Sequence, residues 1–415
     1  MFVRGDRNPV NTIIPNTNIT TLTSKGKLQT GQQTFAASAT SGAYTLVGNP
    51  YAAPVDLHKV TLNNLVKRFY VWDPKLSTVG GYILLNDIAN TGTFTVTPSS
   101  PGNANQYIQS SEAFFVQTST LGTAPSIVFN ESNKGTSLNN NLGIFRPMAP
   151  ETPATPAARQ SLRANLFQLN ADGTTHMADG NLVEFGEGYN PGIDLQDALK
   201  FSNVNETFGV LSGNTSLALD RRPPLANTDT LFFSFAKARQ LKYQFEFTTQ
   251  LLDRDNLAGF VEDKFINRLS PIVMNGTTKM NFEITGVAAS AAMDRFRVVF
   301  QPSVVYTNLT ATVVNSDIQV EWSNGNEFDI KAYEVERSTD GINFSKQSTV
   351  AATGNNNSAV NYNWLDLSPA LGLYYYRIRS ISNSDVVGHS NIVKVKINRS
   401  TPAMYVFPNP VTQNT

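Results

Sequence analysis

The strongest constraint on this chain is a period of two. Between Val304 and Pro410, apolar and polar residues alternate in short runs. These are Ile318-Gln319-Val320-Glu321-Trp322, Tyr333-Glu334-Val335-Glu336-Arg337, Tyr374-Tyr375-Tyr376-Arg377-Ile378-Arg379 and Asn391-Ile392-Val393-Lys394-Val395. Successive side chains of an extended strand point to opposite faces, so Ile318, Val320 and Trp322 share one face while Gln319 and Glu321 share the other. The same rule sets Tyr333 with Val335, and Tyr374 with Tyr376 and Ile378. Turn clusters separate the runs about every ten residues, the spacing of a two-layer β-sandwich. Asp340-Gly341 lies between two such runs, where glycine supplies the positive φ of a tight hairpin. Trp322 then reads as the central aromatic of a sandwich core and Tyr374 as a tyrosine corner, and neither needs a ligand to explain it.

The residues of this stretch also carry a family resemblance. Through Val320-Glu321-Trp322, Tyr333-Glu334-Val335-Glu336-Arg337-Ser338, Asp340-Gly341-Ile342-Asn343-Phe344 and Tyr374-Tyr375-Tyr376-Arg377-Ile378, residues 304–398 resemble a fibronectin type III-like module. Such modules often precede the sorting tail of Bacteroidetes proteins exported by the type 9 secretion system. Tyr405-Val406-Phe407-Pro408-Asn409-Pro410-Val411 resembles the opening strand of that C-terminal sorting domain, with Pro408, Asn409 and Pro410 as the secretion signal. Tails of this kind run further than Thr415, so a truncated, cleaved or partly seen chain is expected. The resemblance implies a protein that crosses the periplasm and is secreted or held at the outer-membrane surface. Its tail would engage the type 9 outer-membrane translocon and the associated shuttle proteins.

Length and composition agree with an extracellular β-protein. The 415 residues predict two to four domains, and 40% hydrophobic residues are enough for real cores. Only 15% are charged, and 32 basic residues balance 32 acidic ones, so no net field draws in nucleic acid or an anionic membrane. Cysteine is absent, which excludes disulfides, thiolate catalysis and Cys-based zinc sites. No apolar run approaches the roughly 20 residues needed to span a bilayer as a helix. Met1-Phe2-Val3-Arg4-Gly5-Asp6-Arg7 has no apolar segment or cleavage site, and it reads as the middle of a strand. The chain is therefore expected to be a fragment whose exported N-terminus lies upstream.

The predicted fold class is all-β, with tandem jelly-roll-like and fibronectin type III/immunoglobulin-like sandwiches. Residues 1–146 form a first β-sandwich-like module, through strands such as Phe69-Tyr70-Val71-Trp72 and Ala113-Phe114-Phe115-Val116-Gln117. This module also resembles one found in type 9 substrates, through Leu46-Val47-Gly48-Asn49-Pro50-Tyr51 and Tyr70-Val71-Trp72-Asp73-Pro74. Pro147, Pro150, Pro153 and Pro156 recur at the polyproline II spacing and mark 147–158 as a stiff linker or loop and a domain boundary. Residues 159–302 form a second, jelly-roll-like sandwich, with Asp194-Leu195-Gln196-Asp197-Ala198-Leu199-Lys200 as an Asp-capped helical turn. Residues 303–398 are the fibronectin type III-like domain, and 399–415 the linker and start of the sorting domain.

Chemistry-bearing residues are few. Asp172, Asp179, Glu184, Glu187, Asp194 and Asp197 lie among glycines, and hard oxygen ligands on a Gly-rich loop suit calcium. Their spacing lacks the Asp-x-Asp-x-Asp-Gly order of a consecutive-ligand loop, so a solvated loop is the other reading. Glu184 with Glu187, and Glu262 with Asp263, are the carboxylate pairs a glycosidase would need across a cleft, but neighbours on a strand face apart. His58, His176 and His389 are far apart in sequence and read as packing or surface residues. Trp72, at a strand end, is the glycan-contact candidate, with Trp364 and Tyr51 as further rings on which a sugar face could stack. Arg4-Gly5-Asp6, the sequons at Asn18, Asn205 and Asn308, and Asp229-Thr230-Leu231 are short patterns that chance supplies.

The resulting functional reading is a non-catalytic secreted or cell-surface region. It supplies passenger or stalk modules and a C-terminal secretion signal, with no cofactor beyond the calcium alternative. One rival is an adhesin or carbohydrate-binding module, tied to gliding or surface attachment and meeting polysaccharide or another cell. An exposed aromatic row would favour it. A second is the accessory region of a secreted hydrolase, which converging carboxylates about 5–10 Å apart would favour.

Overall fold

The computed structural model describes residues 26–99, 101, 104–119, 124–135, 159–254, 257–327, 330–353, 359–383, 385 and 387–398. These residues form tandem β-sandwich modules, the all-β class that the alternation predicts. The chain divides into two compact units, residues 1–253 with 259–301, and residues 254–258 with 302–415. The expected modules 1–146 and 159–302 thus share one compact unit. The Pro-rich stretch 147–158, Arg4-Gly5-Asp6, Asn18 and the tail with Pro408, Asn409 and Pro410 lie outside the described residues.

In the first unit, Leu65–Asp73 is the central strand of a five-stranded antiparallel sheet. The order is Tyr44–Gly48, Ala113–Thr118, Leu65–Asp73, Gly81–Asn86, Thr95–Thr97. Alternation gives this sheet two apolar faces. Phe69, Val71, Ile83, Leu85, Phe114 and Val116 face one core, which Ile127 and Phe129 of the Ser126–Phe129 strand also enter. Tyr70, Leu84, Tyr82 and Phe115 face another, against Leu182, Ala198, Leu219 and Phe201 from later in the chain. A sheet apolar on both faces must be covered on both, and the second half of the unit is the second cover.

That second half is a long sheet that doubles over. Its order is Arg268–Ile272, Ala258–Asp263, Phe296–Gln301, Thr230–Ala236, Thr207–Ser212, Thr215–Arg222, Thr175–Phe185, Gln160–Leu169, Lys242–Gln250, Gly276–Glu283. Rings far apart in this order meet inside. Phe208 lies 5.0 Å from Phe245, and Phe282 lies 4.7 Å from Phe296. The Thr175–Phe185 and Thr215–Arg222 strands run parallel. The expected helical turn at Asp194–Lys200 is corrected: Asp194 and Asp197 close one tight turn, and Ala198–Leu199 is a two-residue strand paired with Leu217 and Leu219. Pairing with an existing strand satisfies the backbone there, and a second helical turn would leave it unpaired.

The second unit is a two-sheet sandwich. Val304–Val314, Asp317–Glu327 and Val360–Asp366 form one sheet. Ser345–Ala351, Ile330–Ser338, Gly372–Ser382 and Val387–His389 form the other, and Val393–Ile397 also pairs with Gly372–Ser382. Ile318, Val320 and Trp322 pack inward against Tyr333, Val335, Tyr376 and Ile378, as the alternation requires. Trp322 is 1% exposed and stacks on Tyr362 at 5.2 Å. Tyr374 Oη donates to Ala370 O (3.1 Å), four residues upstream, the bond of a tyrosine corner. Asp340 Oδ1 accepts the amides of Ile342 and Asn343, and Gly341 takes φ +76° to close the hairpin. Those donors hold the Asp340 carboxyl well below the usual carboxylate range.

Candidate functional site

The most elaborate polar arrangement among the described residues is the joint inside the first unit, centred on Arg68. The Leu65–Asp73 strand shifts register against Ala113–Thr118 between Val66 and Phe69, and such a bulge re-aims a side chain. Arg68 is fully buried. Its Nε donates to Asn86 Oδ1 (3.0 Å), and one Nη donates to Gln117 Oε1 (3.1 Å) and to Asp197 O. The other Nη donates to Leu195 O (3.2 Å) and Gln196 O (3.1 Å). All five guanidinium N–H groups are therefore used. Burial lowers the Arg68 pKa from its ordinary value, and a cluster of carbonyl dipoles compensates for the lost water.

Around Arg68 the joint is tied at several further points. Tyr70 Oη donates to Leu199 O (2.9 Å), and Phe201 stacks on the Tyr70 ring at 4.0 Å. Tyr82 N donates to Asn203 Oδ1 (2.9 Å), Ser77 N to Met177 O (2.7 Å) and Arg163 Nη1 to Val96 O (2.9 Å). Asp197 holds the carbonyl-bearing turn in shape. Its Oδ1 accepts Arg221 N–H and its Oδ2 accepts Asp194 N–H, both at 2.8 Å. Burial pushes the Asp197 carboxyl up.

The six acidic residues considered for calcium are distributed by the structure rather than gathered. Asp179 is buried against Lys200, and Glu184 accepts from Arg221 Nε (2.8 Å) with Arg159 nearby. Asp194 and Asp197 shape the turn, Asp172 caps its own turn by accepting from Thr174, and Glu187 is exposed. Among the described residues no three His, Asp or Glu side chains are placed to hold a metal ion. Glu262 and Asp263 are committed separately, Glu262 to Arg297 (2.5 Å) and Asp263 to Arg295 (2.7 and 2.8 Å).

The remaining candidates are packed. Trp72 is half-buried, edge-on to Tyr82 at 5.0 Å, and its indole covers Gly80 so closely that a Cβ there would lie 2.5 Å from Nε1. Tyr51 is corrected as a sugar platform, since it is a core ring with 1% exposure whose hydroxyl donates to Gly31 O (2.6 Å). Trp364 is half-buried against the core of the second unit. His58 stacks on Phe94 at 4.2 Å, and burial lowers its pKa. His176 Nε2 contacts Ser77 O, and His389 lies 4.0 Å from Glu336. Asn205 donates to Thr78 Oγ1 (3.0 Å), while Asn308 is exposed on its strand. An open recess of about 420 Å³ between the Arg268–Ile272 and Gly276–Glu283 strands is floored by Phe282 and the Asp263–Arg295 pair.

The sequence reasoning passed over Arg68, Lys200 and Glu206. The signal for Arg68 was a lone arginine inside the apolar run Leu65-Val66-Lys67-Arg68-Phe69-Tyr70-Val71-Trp72. Glu206, fully buried, accepts from Arg239 (2.7 and 3.1 Å), Tyr243 Oη (2.7 Å) and Gln168 (3.2 Å). This arrangement can bind and brace, and each of these buried carboxylates is paired with a cation or a hydroxyl.

Fold and joint together define a protein of tandem β-sandwiches whose leading pair is fused through a buried polar seam. The chain belongs to the family described as Domain of unknown function (DUF8693), whose model matches residues 9–300 and so covers both halves of that pair. No curated protein matches the sequence. Among solved structures, the chain is similar to a beta-1,2-glucanase from Parabacteroides distasonis at 11% identity and TM-score 0.17, over 48% of this chain and 37% of that one. A Bacteroides uniformis ATCC 8492 protein described as carbohydrate binding is similar at 14% identity and TM-score 0.20, over 36% of this chain and 93% of that one. Red sea bream transglutaminase matches at 11% identity and TM-score 0.16, over 42% and 32%. The chain thus spans little more than a third of the glucanase.

Proposed function

We propose that this chain is a non-catalytic region of a secreted or cell-surface protein exported through the type 9 secretion system. In this reading its β-modules are passenger and stalk, holding a functional part of the protein away from the cell surface. A tail beginning at Pro408-Asn409-Pro410 is the address that the outer-membrane translocon engages. The observation that carries the reading is sequential. Val320-Glu321-Trp322, Tyr333–Ser338, Asp340–Phe344 and Tyr374–Ile378 resemble a fibronectin type III-like module, and a stretch resembling a sorting-domain strand follows at Tyr405–Val411.

The packing is compatible with a mechanical role. Arg68, Asp179, Glu206 and Asp263 are spent on bracing the fold. A stalk needs that resistance to local opening, whereas an active site keeps polar groups available for substrate. The test deletes residues 400–415 together with any native continuation and follows the protein between cell and medium. Retention in the periplasm is expected; export at the wild-type level would reject the address.

A further inference from the structure

Lys200 and Asp179 form the most deeply buried ion pair among the described residues, with side chains 2% and 0% exposed. Lys200 follows the Ala198–Leu199 strand, and its amide donates to Ser216 O (2.9 Å). Its stem passes Gly209, where an added Cβ would meet Ser216 Oγ at 2.2 Å and Leu217 O at 2.9 Å, and would lie 3.3 Å from Lys200 Cγ. Nζ is in hydrogen-bond contact with Asp179 Oδ1 and donates to Gly180 O at 2.8 Å. Asp179 Oδ2 accepts the Phe208 amide at 2.7 Å. An ammonium carries three N–H groups, and among the described residues two acceptors receive them. An amide in the same place would be fully satisfied, its single N–H on Gly180 O and its carbonyl on Phe208 N–H.

We propose that Lys200 and Asp179 become joined by an intramolecular isopeptide bond, Lys200 Nζ to Asp179 Cγ, once the first unit has folded. The ammonium first passes a proton to Oδ1, giving a free amine beside a neutral carboxylic acid. With both side chains buried, this uncharged pair is not penalised as it is in solution, and burial, partly opposed by Lys200, holds the Asp179 carboxyl above the ordinary range. The Nζ lone pair then attacks Cγ, and the carbonyl electron pair moves onto Oδ2, where the Phe208 N–H stabilises it. Nζ gives a second proton to Oδ1. The Cγ–Oδ1 bond breaks, Oδ1 leaves as water with that bonding pair, and the Oδ2 pair restores the carbonyl. Three hydrogens on the ammonium become one on the amide and two in the water. No oxidant, metal or cofactor is consumed, and the fold itself supplies the proximity.

The bond would fasten the Thr175–Phe185 strand to the segment whose carbonyls hold Arg68. It would be a covalent staple in a chain that has no cysteine to make one.

Mass spectrometry of the full chain under denaturing conditions tests this. The wild type is expected to be lighter than its sequence mass by one water, with a branched peptide linking Lys200 to Asp179 after digestion. Lys200→Arg, which keeps the charge but cannot condense, is expected at its full sequence mass. A wild type at full mass overturns the proposal, and so does a water loss that persists in Lys200→Arg, which would mark a cyclised aspartate elsewhere. Loss of ammonia instead, with Asn181 in the branched peptide, overturns the assignment to Asp179. Asn181 is a rival electrophile, since it is fully buried two residues along the same strand with neither amide atom hydrogen-bonded. If Lys200→Arg does not accumulate, the branched wild-type peptide alone decides.

Discussion

The two compact units pair their buried charge with different partners, cations and carbonyls in the first and mainly tyrosine hydroxyls in the second. In the first, Arg68, Asp179 with Lys200, Glu206 and Asp263 with Arg295 are all enclosed, and each holds together segments distant in sequence. The second encloses two carboxylates in an aromatic interior of Trp322, Tyr333, Tyr362 and Tyr376, where Tyr333 and Tyr362 donate to Glu327 and Tyr376 donates to Asp366. It sets most of its ion pairs as a ladder on one sheet. There Glu334 meets Lys346 (2.7 Å) and Arg379 (2.5 Å), while Glu336 meets Arg377 (2.6 Å). A buried charge is costly to leave unpaired and therefore specifies its neighbours, whereas a rim pair contributes little. The seam of the first unit should thus be defined by its charges, and the second unit by the shape of its core.

The largest effects follow from removing the centre of each unit. Arg68→Ala strands five acceptors, including the carbonyls of Leu195, Gln196 and Asp197, and should cost about 3–5 kcal/mol. Trp322→Ala opens a cavity between Tyr333 and Tyr362 and should cost about the same, by a different route. Hydrogen exchange separates them. Arg68→Ala should expose amides of Leu65–Asp73 and residues 195–203, and Trp322→Ala those of Asp317–Glu327 and Val360–Asp366. If Arg68→Ala leaves the first unit as protected as before, the seam does not depend on its arginine.

How far the sequence revealed these two regions differs in the same way. In the second unit the core was legible, because Ile318, Val320 and Trp322 occupy alternate positions and the partner strands repeat the pattern. The seam was not. The partners of Arg68 are mainly backbone carbonyls at residues 195–197, and a carbonyl has no residue-type signature. The Asp194–Asp197 spacing misled because two aspartates three apart suit a helix cap and an isolated turn equally; in the fold Asp194 Oδ1 accepts the Gln196 amide and Asp197 Oδ2 accepts the Asp194 amide, which closes a turn. The proline spacing at 147–158 suggested independent modules, and only the adjacent pairs Phe69-Tyr70, Leu84-Leu85 and Phe114-Phe115 hinted at a sheet covered on both faces. Calcium looked plausible because Asp179, Glu184 and Asp197 cluster in sequence. In the fold, Lys200, Arg221 and backbone amides take them instead.

Smaller substitutions sharpen the contrast. Gly80 combines φ +87° with the overlying Trp72 indole, so Gly80→Ala must strain the backbone and displace the ring. A loss of about 1–3 kcal/mol is expected in urea unfolding, partly rescued when Trp72→Phe is added. A cost equal to that of an ordinary surface change would show that the ring is free to move. Arg379→Ala removes one of two partners of Glu334 and should cost no more than about 1 kcal/mol, falling further as salt is raised.

The smallest effect is the most discriminating, because its sign differs between the units. Burial raises the Asp197 carboxyl, so the folded first unit binds that proton more readily than the unfolded chain does. Its contribution is full below the unfolded value and is lost as pH rises through the folded one. Glu334 is the reverse. Hydrogen bonds from Lys346, outweighing its desolvation and aided by Arg379, lower its pKa, so its contribution is present above the unfolded value and disappears as pH falls through the folded one. Urea unfolding of wild type, Asp197→Asn and Glu334→Gln should therefore be compared from about pH 7 to about pH 3, across the range where carboxylates titrate. The wild-type advantage over Glu334→Gln should shrink toward acid, while the balance against Asp197→Asn should move in favour of wild type. Trp72→Phe as a second background leaves Trp322 and Trp364 to report the second unit alone by fluorescence, and the signal it removes is that of Trp72 in the first, so comparing the two backgrounds assigns each difference to its own unit. Parallel slopes would mean that both carboxylates meet the same surroundings, and the division between a seam built on buried charge and a core built on shape would then fail.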